Sequence, residues 1–356
     1  MKAYELPDTN RHPAFAKVFT PGHLTFGLIA PLEGYPDAVA PTMKDHVALA
    51  RQADKAGFAA LWLRDVPLLD PGFGDAGQIF DPFVYAALLS AVTTQICIGT
   101  AGIVLTLRNP MMVAKQACSV DVLLEGRFLL GLSTGDRPGE YPAFGENFDT
   151  RAERFREGIE MLHAVTERSF PAFSSRYYGH LNGAMDLLPK PFFGRLPMLA
   201  IGRCQQDVKW LANHMDGWIW HQSGFNTLPE VISHWRDANQ QKRFKPYGYA
   251  TFFDLDDNKD APMKVGRGIS TGRNALIDLW QRQREQGVSH VALNLKPLKR
   301  PATEVLQELE EYVLPYFPTR RNDHASTNIS SARPLSAQDS ARKNDIKTDL
   351  GGHHAR

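Results

Sequence analysis

The sequence predicts an α/β fold, a single (β/α)8 TIM barrel over residues 24–318 with long insertions at its carboxyl-terminal face. Eight apolar strand segments follow one another along the chain, and helical patterns separate most of them. Eight such units in a chain of 356 residues fit a barrel, which typically needs about 250 residues. An open, doubly wound sheet stays the alternative, because periodicity does not show whether a sheet closes.

The predicted strands are short apolar segments bounded by turn residues or charges. They are expected at 24–30, 60–64, 96–105, 127–132, 197–201, 217–221, 247–255 and 290–295. Several stop at small or charged residues, such as Arg64-Asp65 and Ser133-Thr134. Because the carboxyl ends of parallel strands face one side of a barrel, we expect ligands there.

The predicted helices carry apolar residues that recur on one helix face. They are expected over 44–56, 152–166, 205–216 and 272–286. Thr42 and Asp45 form a capping-box pattern before the first helix. Gly57, Gly217 and Gly287 stand where a glycine commonly ends a helix.

Four segments fall outside this pattern. Residues 1–23 are predicted to be an irregular lead-in, and the polar residues 319–356 a disordered tail. The connections 65–81 and 168–196 exceed the usual loop length. The first is a candidate lid over the carboxyl-terminal face, and the second has turn signals for a small hairpin. A tolerated insertion is the alternative for both.

Composition excludes several classes of protein. A net charge of +1 gives no sign of a nucleic-acid or anionic-membrane partner. Three cysteines without CxxC spacing argue against a disulfide framework or a zinc site. No apolar run approaches the roughly 20 residues of a membrane span, and the first residues lack a secretory pattern. We expect a cytoplasmic protein without a metal site.

Three charged or titratable residues at strand ends are candidates for contact with reacting groups. Arg64 and Asp65 end the second predicted strand, and His221 ends the sixth. His221 suits proton transfer, because the pKa of histidine lies near neutrality. The alternative is that Arg64 and Asp65 pair with each other and that His221 is structural.

A candidate phosphate site follows the fifth strand, in the segment IGRCQQDV over 201–208. Gly202 permits a tight turn, and the amides that open the next helix suit an anion together with Arg203. The alternative is an ordinary strand–helix turn with a solvated arginine. The glycine-rich segment 265–274 competes for the phosphate, because barrels often bind phosphates after strands seven and eight.

The order of motifs over about residues 24–315 resembles the bacterial luciferase-like flavin-dependent monooxygenase family. The matching segments are Ala50 to Trp62, Gly99 to Leu105, Arg108-Asn109-Pro110, Val120 to Leu123, Gly126-Arg127, and Phe144 to Arg151. The resemblance implies reduced FMN at the barrel mouth and a phosphate-binding turn at Gly202 to Gln206. It also implies a cis peptide bond at Ala101–Gly102, with a bulge of the strand at that place as the alternative. The cofactor-binding residues that it implies are Ala101, Gly102, Arg108, Ser133, Arg137, Gly202, Arg203, Cys204, Gln205 and Gln206.

The chain departs from the family pattern at two places. Many members have a histidine after strand two, where this chain has Arg64-Asp65-Val66-Pro67. Ser133 and Thr134 stand where bacterial luciferase has a reactive cysteine and an arginine. Arg137 is a candidate for the missing charge, and light emission is not expected.

The resemblance implies an oxidoreductase, and three functions stay open. The leading one is a monooxygenase using reduced FMN and O2 on a small organic substrate, with a separate NAD(P)H:flavin reductase because no dinucleotide fingerprint is present. A deazaflavin-dependent hydride transfer is the second, and a non-catalytic flavin-binding protein is the third. A homodimer is expected, since relatives commonly form one.

Overall fold

A closed barrel of eight parallel strands forms the body of the protein. The computed structural model describes residues 8–222, 224–240 and 243–318. The strands are β1 Thr25–Ile29, β2 Ala60–Leu63, β3 Cys97–Thr100, β4 Ile103–Val104, β5 Phe128–Ser133, β6 Ala172–Ser175, β7 Gly179–Asn182, β8 Met198–Ile201, β9 Gly217–His221, β10 Tyr247–Leu255, β11 Lys264–Val265, β12 Gly268–Thr271 and β13 His290–Asn294. The barrel order is β1, β2, β3, β5, β8, β9, β10 and β13, which pairs back with β1. The predicted barrel is confirmed, and the open sheet is excluded.

Helices lie between most of the barrel strands, while α1 precedes β1 and α10 follows β13. They are α1 Pro13–Val18, α2 His46–Ala56, α3 Pro82–Ser90, α4 Pro110–Leu123, α5 Glu140–Ala143, α6 Arg151–Glu167, α7 Val208–His214, α8 Leu228–Ala238, α9 Arg273–Gln286 and α10 Ala302–Tyr312. Within the described residues, no helix is both long and apolar enough to cross a membrane.

Two details of the predicted helix ends are wrong. The Thr42–Asp45 capping box does not form, because the Thr42 hydroxyl donates to Glu33 at 2.8 Å and the Asp45 side chain makes no cap bond. Gly217 does not end α7, which stops at His214, since Gly217 is already the first residue of β9. The predicted ends of α2 and α9 at Gly57 and Gly287 are confirmed.

The interior of the barrel near its amino-terminal end, called the floor below, is built around one large buried side chain. Trp62 of β2 lies across Gly99 of β3, where an added Cβ would come within 2.3 Å of the indole ring. The indole Nε1 donates to His290 Nε2 at 2.9 Å, and Thr25 Oγ1 lies 2.7 Å from His290 Nδ1. Burial lowers the pKa of His290 to about 3, so the imidazole is neutral. The polar atoms of the floor are therefore paired without any net charge.

The lead-in is not irregular over its described part. Helix α1 begins at Pro13 and buries Ala14, Phe15 and Val18 among apolar residues that point into the barrel. The Cys97 thiol of β3 donates to the Ala14 carbonyl at 3.8 Å. A short amphipathic segment therefore closes the amino-terminal end of the barrel. Residues 1–7 of the lead-in and the predicted tail over 319–356 lie outside the described residues.

The insertions contain one hairpin that was predicted and one that was not. The hairpin β6–β7 lies within 168–196, as the turn signals predicted, and it follows α6. It folds back along that helix, where the Ser175 hydroxyl donates to Glu157 and the Tyr177 hydroxyl donates to Glu153. A second hairpin, β11–β12, was not predicted and pairs with the end of β10. The segment 65–81 follows β2 at the carboxyl-terminal face, as expected.

Candidate functional site

A cavity of about 650 Å³ opens at the carboxyl-terminal ends of the barrel strands. This is where ligands bind in (β/α)8 barrels, and the volume lies in the range of small-molecule sites. The residues expected at the site that line the cavity are Arg64, Asp65, Ala101, Gly102, Ser133, Arg137, Gly202, Arg203, Cys204, Gln205 and His221. Arg108 and Gln206 lie behind its wall.

The third predicted strand is interrupted at Ala101 and Gly102, between β3 and β4. The expected cis bond between these residues is wrong, because the cis bonds in the described part of the chain are Ala30–Pro31 and Leu188–Pro189. Gly102 departs from strand geometry instead, with a φ of 98°. A Cβ at this position would lie 2.9 Å from the Ser133 side chain. Only glycine fits, and its backbone forms part of the cavity wall.

Arg64 forms an ion pair with the segment 65–81. Its Nη1 donates to Asp75 Oδ2 at 2.5 Å, and Asp75 Oδ1 accepts from the Tyr35 hydroxyl at 2.9 Å. Burial raises the pKa of Asp75, but Arg64 and the hydrogen bonds outweigh burial and lower it. The carboxylate is therefore ionised, and it holds the guanidinium beside the cavity.

Asp65 pairs with a different arginine. Its side chain is 1% exposed and accepts two hydrogen bonds from Arg108, at 2.7 and 2.9 Å. The same carboxylate accepts from the Val104 amide at 2.9 Å, and Arg108 also reaches Asp81. Arg64 and Asp65 thus do not pair with each other. Asp65 fixes Val104, the last residue of β4, close to the strand interruption.

Arg137 holds the segment 65–81 from the opposite side of the cavity. Its guanidinium donates to the carbonyls of Leu68 at 3.2 Å and Asp75 at 3.0 Å, and it lies 4.8 Å from the centre of the Phe73 ring. The residue is buried, with 6% exposure. Among the described residues, no carboxylate oxygen comes within the 4.0 Å of a salt bridge. Arg137 is therefore a buried cation held by carbonyl groups.

Glu140, the first residue of α5, also lines the cavity, and the sequence assigns it no role. Its exposure is 5%, and its Oε1 atom is buried without a hydrogen-bond partner in the described structure. Burial raises the pKa of this carboxyl group, while Arg137 opposes the shift. The only feature of the sequence that points to Glu140 is its place three residues after Arg137. Its burial depends on the segment 65–81, whose fold the sequence pattern does not show.

The turn after β8 offers unpaired backbone amides. Gly202, Cys204 and Gln205 have φ values of 74°, 48° and 53°. Over the described residues, the amides of Arg203, Cys204 and Gln205 have no intramolecular acceptor. Successive free N–H groups in such a conformation form an anion-binding concavity. The first turn of α7 contributes less than expected, since the Asp207 carboxylate already accepts from the Trp210 amide at 2.7 Å.

Two side chains of this turn have structural partners. Gln206 is buried, accepts from Arg156 at 2.6 Å and donates to the Ala152 carbonyl at 3.0 Å, so it anchors the turn on α6. The Cys204 thiol donates to the carbonyls of Leu132 and Ile201 at 3.4 Å. Burial raises the pKa of Cys204 to about 12, so the thiol stays protonated.

Arg203 and His221 lie at the exposed rim. The Arg203 guanidinium lies 5.5 Å from the centre of the Trp220 ring and forms no salt bridge with a described residue. His221 ends β9, with its ring against that of Trp220 at 4.8 Å. Both side chains are free to meet a ligand.

The segment 265–274, the alternative phosphate site, does not offer free amides to a phosphate at the start of α9. The Gly272 and Asn274 amides donate to the carbonyls of Ala261 and Lys259, both at 3.1 Å. The backbone of 258–259 covers the first turn of α9, where a Cβ on Gly272 would meet it within 2.5 Å. Arg267, at the tip of the β11–β12 hairpin, nevertheless lines the cavity.

A family model described as luciferase-like monooxygenase matches residues 24–295. The chain belongs to the luciferase-like monooxygenase family. An uncharacterized protein of Mycobacterium tuberculosis is 28% identical over 188 residues, which are 49% of this chain and 64% of that protein. The match therefore spans less than two thirds of that relative's own length.

Solved structures with the same fold include proteins in complex with different cofactors. A coenzyme F420-dependent secondary alcohol dehydrogenase, in complex with an F420–acetone adduct, has a TM-score of 0.68 at 18% identity and covers 83% of this chain and 99% of its own. The oxygenating constituent of 3,6-diketocamphane monooxygenase from Pseudomonas putida, in complex with FMN, has a TM-score of 0.66 at 14% identity, with 84% and 100% covered. At these identities the likeness establishes the fold. In the described part of the chain, no group of three or more histidine, cysteine, aspartate or glutamate residues is arranged to hold a metal ion.

Proposed function

We propose that this chain is a flavin-dependent monooxygenase that uses reduced FMN and O2 to oxygenate a small organic substrate. The observation that carries the proposal is the turn at 202–205, where three free amides and an arginine without an ionic partner meet at one cavity. A phosphate dianion needs such donors and positive charge. The glycine-dependent strand interruption at Gly102 gives the same cavity a wall of bare backbone.

The remaining walls fit a flavin. The cavity has room for a ring system with a phosphate-bearing side chain. The larger apolar residues of its lining suit a planar aromatic ring, and they include Ile29, Val104, Ile201, Ile219, Trp220 and Phe252. When bound, the flavin supplies the electrons that activate O2, and the protein supplies binding, orientation and exclusion of water.

The residues of the chain then divide the remaining tasks. Arg203 and the amides of 203–205 hold the phosphate. Arg64, kept in place by Asp75, stabilises negative charge on a reduced ring. Asp65 positions the strand interruption through Val104 and Arg108. His221, whose ring lies against that of Trp220 at the exposed rim, contacts the bound substrate or flavin.

Reconstitution tests this function directly. We expect the protein to bind FMN with a change in its absorbance and fluorescence, and to consume O2 and a substrate when a flavin reductase supplies reduced FMN. Binding without turnover of any organic candidate would favour a non-catalytic flavin-binding protein. Absence of FMN binding would contradict the proposal.

A deazaflavin-dependent hydride transfer is the second candidate. It is favoured by Arg267, which like Arg137 and Arg203 lines the cavity and forms no salt bridge with a described residue, and which would suit a longer acidic cofactor tail. Coenzyme F420 and FMN should be titrated side by side. Tighter binding of F420, with no O2 consumption, would select this function.

A homodimer and a separate flavin reductase complete the proposal. Helices α3 and α4 are neighbours and expose Val84 at 70%, Met112 at 58% and Leu123 at 58%. Such an apolar face suits burial against a second copy. Light scattering after gel filtration should give twice the chain mass, and a monomer would contradict this part of the proposal.

A further inference from the structure

The carboxylates that line the cavity differ in their partners. Asp65 and Asp75 each accept a hydrogen bond from an arginine at 2.7 Å or less. Asp136 is exposed to solvent. Glu140 differs from these three, because it is 5% exposed and forms no salt bridge with any described residue. An ionised carboxylate in that position lacks both water and a counter-ion, so burial favours the neutral acid.

The surroundings of Glu140 explain why its nearest cation does not neutralise it. Arg137 directs its donors at the carbonyls of Leu68 and Asp75 instead. Asp65, from the end of β2, and Asp136, from the same loop, add negative charge that favours protonation, while the Leu68 amide and Arg137 oppose it. Burial is the largest of these effects and raises the pKa of Glu140.

From this arrangement we propose that Glu140 is the acid–base residue of the cavity, donating a proton to the molecule bound there and taking one back. It is the one buried, unneutralised carboxyl group among the described lining residues, and it faces the same space as the candidate cofactor turn. The Cys204 thiol of that turn is also buried and titratable, but it donates to two carbonyls, and burial raises its pKa to about 12, so it is too weak an acid to give up its proton near neutral pH. The inference rests on the proposed flavin function.

The reoxidation of reduced FMN by O2 serves as a test reaction that needs no substrate. O2 accepts two electrons from the reduced cofactor and two protons, one from the reduced ring and one from the protein, and leaves as hydrogen peroxide. The variants are Glu140→Gln, with Asp136→Asn as the matched exposed control and His221→Gln as the rival proton donor. Glu140→Asp keeps a carboxyl group, so it distinguishes the loss of the acid from misfolding of the variant.

We expect the reoxidation rate of the parent protein to change with pH in a single step that Glu140→Gln removes. Glu140→Gln should also be slower by roughly a hundredfold. Asp136→Asn should keep the step and move it toward lower pH, because the charge of Asp136 favours protonation of Glu140. His221→Gln should keep the step whatever its effect on the rate, and Glu140→Asp should restore part of it. A parent-like profile in Glu140→Gln, or loss of the step in His221→Gln alone, would overturn the proposal.

A second readout needs no cofactor. Difference infrared spectra of the parent protein minus Glu140→Gln should show a protonated carboxylic acid that persists above the ordinary glutamate pKa of roughly 4.3, because burial raises the pKa of Glu140. Asp121, another buried acid whose pKa is raised by burial, cancels because it is present in both proteins. Identical spectra would overturn the proposal. Failure of the parent to bind FMN would refute the flavin function, and the infrared band would still report on the proton of Glu140.

Discussion

The two ends of the barrel differ in whether their buried polar side chains have partners. At the floor, Trp62, His290 and Thr25 satisfy one another without any net charge. At the mouth, Arg137 and Glu140 are also buried, but they lack an ionic partner among the described residues. Paired neutral groups stabilise a fold, whereas unpaired charges cost stability and persist where a ligand or a reaction needs them. The comparison separates the scaffold from the site.

The largest effect should come from removing the floor residue. Trp62→Ala deletes a side chain that is 1% exposed and fills the space above Gly99, so we expect a loss of about 4 kcal/mol in the free energy of unfolding. His221→Ala, at the exposed rim, should change it by less than about 0.5 kcal/mol. Urea denaturation measures both, and equal losses would remove the distinction between floor and mouth.

A smaller effect is expected from Asp65, the paired charge of the mouth. Asp65→Ala leaves Arg108 with only Asp81 and leaves the Val104 amide without its acceptor, which should cost about 3 kcal/mol. The double variant with Arg108→Ala should lose less than the sum of the single losses, because the stranded charge is gone. Strictly additive losses would show that the pair does not couple.

The response of stability to pH offers a third comparison. The pKa of His290 is lowered to about 3 by burial, so between about pH 6.5 and 3 the unfolded chain binds a proton that the folded chain does not. Stability should therefore fall as the pH is lowered through this window, by up to about 1.4 kcal/mol per pH unit for this group. His12, whose pKa is lowered to about 4 chiefly by burial, acts in the same direction.

The matched variants separate this effect from general acid sensitivity. His290→Gln keeps an acceptor for Trp62 but cannot titrate, so its stability should decline less steeply below pH 6.5 in urea denaturation series. His221→Gln should follow the parent protein. An unchanged slope in His290→Gln would show that the floor imidazole is already protonated in the fold.

Much of the barrel could be predicted from sequence because each strand carries its own apolar signal. All eight predicted barrel strands correspond to observed ones, with ends that differ by a few residues. Helices α3, α4, α8 and α10 were not among the four predicted helices. The helix α1 and the hairpin β11–β12 were also missed, since each is short and owes its structure to the barrel residues it packs on or pairs with. Local sequence patterns do not show contacts with residues that are distant in the chain.

The site was less predictable for the same physical reason. The cavity position follows from the topology, and residues at the strand ends line it as expected. The partners of Arg64 and Asp65, however, are Asp75 in an irregular segment and Arg108 beyond another strand. The burial of Glu140 likewise depends on how 65–81 folds back, which no spacing reveals.

The measurement that tests the central claim most directly is the affinity of the mouth for FMN and for riboflavin, which lacks the phosphate. Arg203→Ala should weaken FMN binding about tenfold in fluorescence titrations and leave riboflavin almost unchanged, because only the phosphate meets the guanidinium. Arg267→Ala is the matched control and should affect FMN less. Equal loss of both ligands in Arg203→Ala, or a larger FMN loss in Arg267→Ala, would contradict a phosphate site at 202–205.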